Sequence, residues 1–188
     1  LGLPVAAEIA SEFRYKTPAV GKNTLVVAVS QSGETIDTLM ALRGAKEKGA
    51  QVIGVVNIVG SAIAREAHAV LYTRAGLEIG VAATKTFTAQ IAALTLLGLW
   101  LARSRGTLSE EELQKLKDEL SQAPRLVEQS LLVGPAIEGL AQKLHSFPNF
   151  LYLGRGILYP LALEGALKLK EISYIHAEGY AAGEMKHG

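Results

Sequence analysis

An unbroken apolar run, TLVVAV at Thr24–Val29, constrains the fold more than any other feature of the sequence. Aliphatic and β-branched residues without alternation are typical of a strand that is buried on both faces, as in a parallel sheet. A second run, VIGVV at Val52–Val56, follows after a segment with helical periodicity at Thr35–Lys48. Because parallel neighbours need a crossover connection, the pattern predicts strands joined by helices.

The alternation of strand and helix continues through the first half of the chain. We predict a short strand at Pro4–Ile9, a helix at Ser61–Ala67, a strand at Val70–Thr73 and an apolar helix from about Thr86 to Arg103. This order predicts an α/β fold with an open parallel sheet and helices on both faces. The longest apolar run, Ile91–Ala102, is only about half of a membrane span, and we expect a buried helix there.

The alternation breaks at Arg105–Ser109, where polar helical segments replace it. Ser109 and Glu112 have the spacing of a capping box at the start of one such helix. A strand sequence, FLYL, and a helix at Tyr159–Tyr174 then repeat the earlier order. These changes divide the chain into a first domain at 1–104, linker helices at 105–146 and the beginning of a second, similar domain at 147–188.

Charge and cysteine content argue against several classes of protein. The chain has 19 basic and 18 acidic residues and a formal net charge of +1, so it has no overall field for gripping nucleic acid. Without cysteine it has no disulfide, no thiolate zinc site and no cysteine nucleophile, which fits a cytoplasmic protein. The four histidines lack paired metal-ligand spacing, so we expect no metal site.

The segment SQSGET, from Ser30 to Thr35, lies between a predicted strand and a predicted helix. Free backbone N–H groups at such a junction, together with the helix dipole, favour a phosphate group. Hydroxyls at Ser30, Ser32 and Thr35 can donate further hydrogen bonds, and Gly33 permits close backbone approach. In the alternative interpretation Ser32 only caps the helix. Three hydroxyls with a glycine between them favour the anion site.

Glu164, Lys168 and Glu171 lie at i, i+4 and i+7 of the later helix, within a wedge of roughly 60°. Spacing alone favours a solvated stripe of ion pairs, which is a common helix stabiliser. If this face instead borders a cleft, coupling with Lys168 tunes the carboxylates for proton transfer. His187, taken alone, is typical of a polar surface residue.

A family resemblance adds to these interpretations. SQSGETIDTLMAL resembles the phosphate loop of sugar-isomerase (SIS) domains, which include isomerases and sugar-phosphate-sensing regulators. EIGVAATKTFTAQ and the segment from LYLGRG to GEMKHG more specifically resemble the isomerase half of the glutamine–fructose-6-phosphate aminotransferase (glucosamine-6-phosphate synthase) family. The resemblance covers nearly the whole chain and is weakest at about 105–145. It implies an SIS-type, flavodoxin-like fold that contains most of the isomerase half.

The resemblance also implies which residues bind substrate. The residues that would bind the phosphate of fructose 6-phosphate are Ser30, Gln31, Ser32 and Thr35. The backbone at Val81 would face the sugar. The family often has serine at the position of Ala83 and alanine at that of Thr86, so Ala83 is the weaker candidate for a sugar contact.

The catalytic roles come from the same resemblance. Glu171 matches the carboxylate that moves a proton between C1 and C2, and Glu164 and Lys168 match its supporting relay. A carboxylate can perform this transfer if burial raises its pKa toward the working pH. His187 matches a ring-opening histidine that acts in the neighbouring subunit's site, which implies a homodimer. The product would be glucosamine 6-phosphate, and no cofactor is implied.

The family also has parts that the sequence does not contain. These are a separate glutaminase domain, a first SIS strand with a Gly-Thr-Ser segment, and a lysine that forms a Schiff base with the sugar. We therefore expect the chain alone to be catalytically incomplete. The alternatives are a non-catalytic SIS-type sugar-phosphate sensor, or another SIS isomerase or deglycase. The segment Tyr159–His187 favours the synthase.

Overall fold

The computed structural model describes residues 2–187, which form two compact units. The first unit contains the residues up to Ile79 together with Ala83–Ser121. The second contains Gly80–Ala82 together with the residues from Gln122 onward. The predicted linker helices are thus divided between the units, and the domain limits given above stay a prediction. Their outermost residues, 1 and 188, lie outside the described residues.

The first unit is an alternation of strands and helices, as the apolar runs predict. Its elements are α1 (Ala10–Phe13), β1 (Leu25–Ser30), α2 (Ile36–Glu47), β2 (Gln51–Val56), α3 (Ala62–Glu66), β3 (Ala69–Tyr72), α4 (Lys85–Arg105) and α5 (Glu110–Ser121). The three strands form a parallel sheet in the order β1–β2–β3. The capping box is confirmed, since the Ser109 amide donates to Glu112 Oε2 at 2.8 Å and the Glu112 amide donates to Ser109 Oγ at 3.2 Å.

Helices cover both faces of this sheet, which confirms the predicted α/β class. One face carries Val52 and Val56, which pack with side chains of α2 and α3 in the main core. On the other face, Ile53 and Leu71 line an apolar cavity of about 340 Å³ together with residues of α4 that include Trp100. Because successive side chains of a strand point to opposite faces, a continuous apolar run serves both layers.

Helix α4 is long and apolar enough to cross a membrane by length and composition alone. A core helix of a soluble protein passes the same test. Here α4 packs against β2 of the sheet, with Leu99 and Ala102 buried against Leu113 of α5. One side of α4 therefore packs as a core helix does, but only 22% of its apolar stretch is buried. The expectation of a buried helix is thus correct for one face alone, since Ile91, Leu96 and Trp100 are exposed.

The predicted strand at Pro4–Ile9 is wrong. These residues form no strand in the structure, and Val5 and Ile9 are exposed. A short segment becomes a strand only when a neighbouring strand accepts and donates its backbone hydrogen bonds, and none of the described strands pairs with it.

The second unit is smaller and contains a two-stranded parallel sheet. Its elements are α6 (Ala123–Leu131), α7 (Gly134–Leu144), β4 (Asn149–Gly154), a 3₁₀ turn (Gly156–Leu158), α8 (Tyr159–Ser173), β5 (His176–Ala181) and a second 3₁₀ segment (Ala182–His187). β4 and β5 pair in parallel around the crossover helix α8. The apolar run FLYL and the helical periodicity after it predict β4 and α8, but no sequence pattern predicts β5.

Helix α8 lies very close to β5. Its inner face carries the buried Ala162 and Ala166. A Cβ atom added to Gly179 of β5 would lie 2.7 Å from Leu163 Cα and 2.8 Å from Leu163 N, so only glycine fits. Small residues on both elements therefore set the distance between helix and strand.

Replacing this glycine should destabilise the protein. We expect Gly179→Ala to lower the free energy of unfolding by about 1–3 kcal/mol, since the new methyl group meets helix backbone. Gly139→Ala in α7 is the control, because no atom lies within 4 Å of its added Cβ and alanine favours a helix. Urea unfolding of both variants checks this, and equal stabilities would contradict the close approach.

Candidate functional site

The carboxyl ends of the three parallel strands meet at one edge of the sheet. The register aligns Ser30 at the end of β1 with Val56, and Val56 with Tyr72 at the end of β3. The predicted anion segment, Ser30–Thr35, therefore connects the end of β1 to the start of α2 at this edge. Open α/β sheets bind ligands at this edge.

Hydrogen bonds within the segment hold its hydroxyls in place. Ser30 Oγ lies 2.9 Å from Thr35 Oγ1 and accepts the Gly33 amide at 3.0 Å. Ser32 Oγ accepts the Glu34 amide at 3.1 Å, which leaves its own proton available for a ligand. Thr35, the residue before α2, makes no side-chain hydrogen bond to the first turn of the helix. The first amides of α2 can therefore bind an anion.

The one carboxylate of this segment belongs to Glu34. Its Oε1 accepts the amide of Ala62, the first residue of α3, at 2.8 Å. A free carboxylate beside an anion site would repel the ligand. This hydrogen bond instead uses the Glu34 charge to cap a neighbouring short helix.

Gly33 has φ +68°, a conformation that favours glycine. A Cβ atom there would lie 2.0 Å from Oγ of Ser61, which is buried and has no hydrogen-bond partner among the described residues. The Gly33 carbonyl also accepts the amide of Ile63 at 2.9 Å. Backbone conformation and close packing therefore both require glycine at this point of the turn.

Asn57 joins the loops that follow all three strands, and the sequence analysis missed it. Its backbone amide donates to the Gln31 carbonyl at 3.0 Å. Its side-chain Oδ1 accepts from Thr73 Oγ1 and from the Ala75 amide, and Nδ2 donates to the Gly76 carbonyl at 2.7 Å. A buried asparagine directly after the run VIGVV was the available signal.

Glu78 caps α4, and the sequence analysis missed this residue too. Its Oε2 accepts the amides of Thr84 and Thr86 at 3.3 Å and 3.2 Å and the Thr86 hydroxyl at 2.8 Å. The hydrogen bond from the Thr86 hydroxyl is the largest cause that holds the pKa of Glu78 below its ordinary value. The cap therefore persists at pH values where an ordinary glutamate is protonated, and it is lost only as the pH falls through the lowered pKa.

Val81 lies in the loop between Glu78 and the start of α4. Its side chain is 96% exposed, and its neighbour Ile79 is 87% exposed. The segment 79–83 is neither helix nor strand. Its contact with a sugar stays a prediction.

The predicted acidic and basic face of α8 forms a connected cluster. Lys168 Nζ lies 2.6 Å from Glu171 Oε2 and 3.4 Å from Glu164 Oε1. The three side chains are 23–34% exposed and lie on the side of α8 opposite the buried alanines. Desolvation lowers the pKa of Lys168, but the hydrogen bond and charge of Glu171 and the charge of Glu164 outweigh it and raise the pKa. Lys168 therefore stays protonated near neutral pH.

His187 lies at the end of the second 3₁₀ segment. Its Nε2 is 3.9 Å from Glu184 Oε2, and both side chains are about two-thirds exposed, at 64% and 68%. Within residues 2–187, no three His, Asp or Glu side chains are grouped so that they could hold a metal ion. The described residues thus present two clusters, one at the turn before α2 and one on α8.

Comparisons with known proteins show which family the chain resembles. The SIS domain family matches residues 1–99 and 143–188. Glutamine–fructose-6-phosphate aminotransferase (isomerizing) of Clostridium tetani is 55% identical over 186 residues, which cover 99% of this chain and 31% of that protein. The protein of the same name from Thermus thermophilus is 56% identical, with coverage of 99% and 31%.

A solved structure is similar over nearly the whole chain. It is the C-terminal domain of glucosamine-fructose-6-phosphate aminotransferase from Francisella tularensis, with a TM-score of 0.96 and 43% identity. The match covers 99% of this chain and 53% of that one. The expectation that the chain contains most of an isomerase half is therefore wrong, since it corresponds to about half of that domain.

The packing of Gly33 can be tested by two alanine substitutions. Gly76 also has a positive φ, +72°, but no atom lies within 4 Å of its added Cβ. Gly76→Ala should therefore cost only the backbone strain, about 1 kcal/mol. Gly33→Ala adds the clash with Ser61 and should cost about 2–4 kcal/mol. Urea unfolding measures both, and equal losses would show that Ser61 does not restrict the turn.

Proposed function

The chain belongs to the SIS domain family, and from this premise we propose that it is part of an isomerising glutamine–fructose-6-phosphate aminotransferase. In this proposal the whole protein converts fructose 6-phosphate and glutamine-derived ammonia to glucosamine 6-phosphate. The observation that carries the proposal is the uncapped start of α2, where three hydroxyls line free helix amides. The names of the curated relatives supply the sugar phosphate. The chain spans about 31% of their length, so other parts of the reaction belong to other segments.

The turn before α2 binds the phosphate in this proposal. The amides at the start of α2 and the hydroxyls of Ser30, Ser32 and Thr35 donate to the phosphate oxygens, with Gln31 beside them. The phosphate does not react. Its binding energy fixes the position of the sugar carbons that do react.

The cluster on α8 carries the proton transfer. His187, acting in the partner subunit of a homodimer, assists ring opening, after which ammonia replaces the carbonyl oxygen at C2 and water leaves. Glu171 then takes a proton from C1 and returns one to C2, which yields the amino-aldose. Lys168 remains protonated, so it acts as a fixed positive charge that holds Glu171 in place, while Glu164 holds Lys168 from the other side. The homodimer, the glutaminase domain and the cytoplasmic location are parts of the same proposal.

Ser32→Ala tests the phosphate site. Removal of one hydroxyl donor to a charged group should weaken binding of fructose 6-phosphate about 10- to 100-fold. Isothermal titration of the full-length protein measures this. Binding of unphosphorylated fructose should change little, and Ser104→Ala, on an exposed turn of α4, should leave both affinities unchanged. Equal losses for the two sugars would contradict the anion site.

Glu171→Gln tests the proton transfer. The glutamine oxygen can still accept a hydrogen bond from Lys168, so the fold and sugar binding should persist, while turnover falls by at least about 100-fold. Glucosamine 6-phosphate formation by the full-length enzyme is the measurement.

The control is Glu128→Gln, which removes an exposed carboxylate of α6 and should leave turnover unchanged. Wild-type turnover in Glu171→Gln would refute the role of Glu171. A wild-type protein that binds the sugar phosphate without converting it would instead identify a sensor.

A further inference from the structure

We propose that Glu78 is a positioning residue for the loop 79–83, which it holds in the conformation that presents its backbone to the sugar. The inference rests on the proposed function, because it needs a sugar bound beside Val81. Glu78 would hold the loop in place, whereas the residues assigned above bind the phosphate or transfer the proton.

The start of α4 is capped by a residue that lies outside the helix. Thr84, the residue before α4, makes no side-chain hydrogen bond to the helix, so the cap comes from Glu78, six residues upstream. One oxygen of Glu78 receives all three hydrogen bonds, from the amides of Thr84 and Thr86 and from the Thr86 hydroxyl. Thr86 is fully buried. The carboxylate therefore links an exposed loop to a fixed point of the core.

The other end of the same loop is also held in place. Asn57 holds the Ala75 amide and the Gly76 carbonyl through its buried side chain. The segment from residue 75 to residue 86 is thus held at 75–76 by Asn57 and at 84–86 by Glu78. Within it, the amides of 79–83 donate no hydrogen bond to any other described residue. These amides are free for a ligand, and the residues on either side of them are held by Asn57 and Glu78.

The carboxylate of Glu78 also acts through its charge. Both α2 and α4 follow the strands of this sheet, and each helix start favours an anion. The Glu78 carboxylate fills the start of α4 with a negative charge from the protein itself. An anionic ligand is therefore directed to α2, and the loop before α4 is left to contact the uncharged part of the substrate.

The experiment separates positioning from stability. In the full-length enzyme, Glu78→Ala should raise KM for fructose 6-phosphate about 10- to 100-fold, since loss of orientation in a loop costs this much. The inhibition constant of inorganic phosphate, which needs only the turn before α2, should stay within about twofold of wild type. Glu78→Gln should restore most of the KM, because its amide oxygen can accept the same hydrogen bonds.

The matched control is Glu112→Ala. Glu112 also caps a helix, α5, through its capping box with Ser109, but no sugar-facing loop depends on it. It should lower thermal stability without a change in KM. An unchanged KM in Glu78→Ala, or a parallel loss of phosphate and sugar binding, would overturn the inference. Failure of the wild-type enzyme to bind fructose 6-phosphate would overturn the proposed function instead.

Discussion

The structure of the first unit depends on the parallel register of its three strands. Because β1, β2 and β3 all end at the same edge, the loops that follow them meet there, and Asn57 can hydrogen-bond to the loops on both sides. Parallel strands keep their ends together only when crossover helices return the chain to the opposite edge. The position of the proposed phosphate site thus follows from the strand order, which brings the hydroxyls of Ser30–Thr35 to this edge.

Much of this order could be predicted from the sequence. The strands β1, β2 and β4 contain continuous apolar runs, which are typical of parallel strands. Helices cover both faces of the sheet in the first unit, whereas Leu151 and Leu153 of β4 are exposed. The position of Ser30–Thr35 between a strand and a helix could be predicted because its hydroxyls fall directly between an apolar run and a periodic helix. The ion pairs of Lys168 follow from helix geometry alone, since residues three and four apart are neighbours on a helix.

The remaining features depend on contacts between distant residues. Strand β5, with sequence HAEGYA, has no β-branched residue, and it forms because β4 supplies a partner and Gly179 allows α8 to lie close. Residues 4–9 have a comparable local preference, but they lack a described partner and form no strand. Glu78 could not be identified from spacing, because its partners are defined only when the loop folds back to α4. The same holds for Ser61, which is visible as a constraint on Gly33 only after α3 has packed beside the turn.

In the proposed function, the anion segment binds a phosphate although it contains the carboxylate of Glu34. Glu34 lies within the anion segment and Glu78 lies before the next long helix, so both would repel a phosphate if their charges were free. Each instead accepts backbone amides at the start of a neighbouring helix, Glu34 at α3 and Glu78 at α4. Since helix starts attract negative charge, these two carboxylates occupy the starts of α3 and α4, whereas no side chain caps the start of α2. In the proposed function, the phosphate would therefore meet the start of α2, which no side chain caps, next to two helix starts that the protein caps with its own acids.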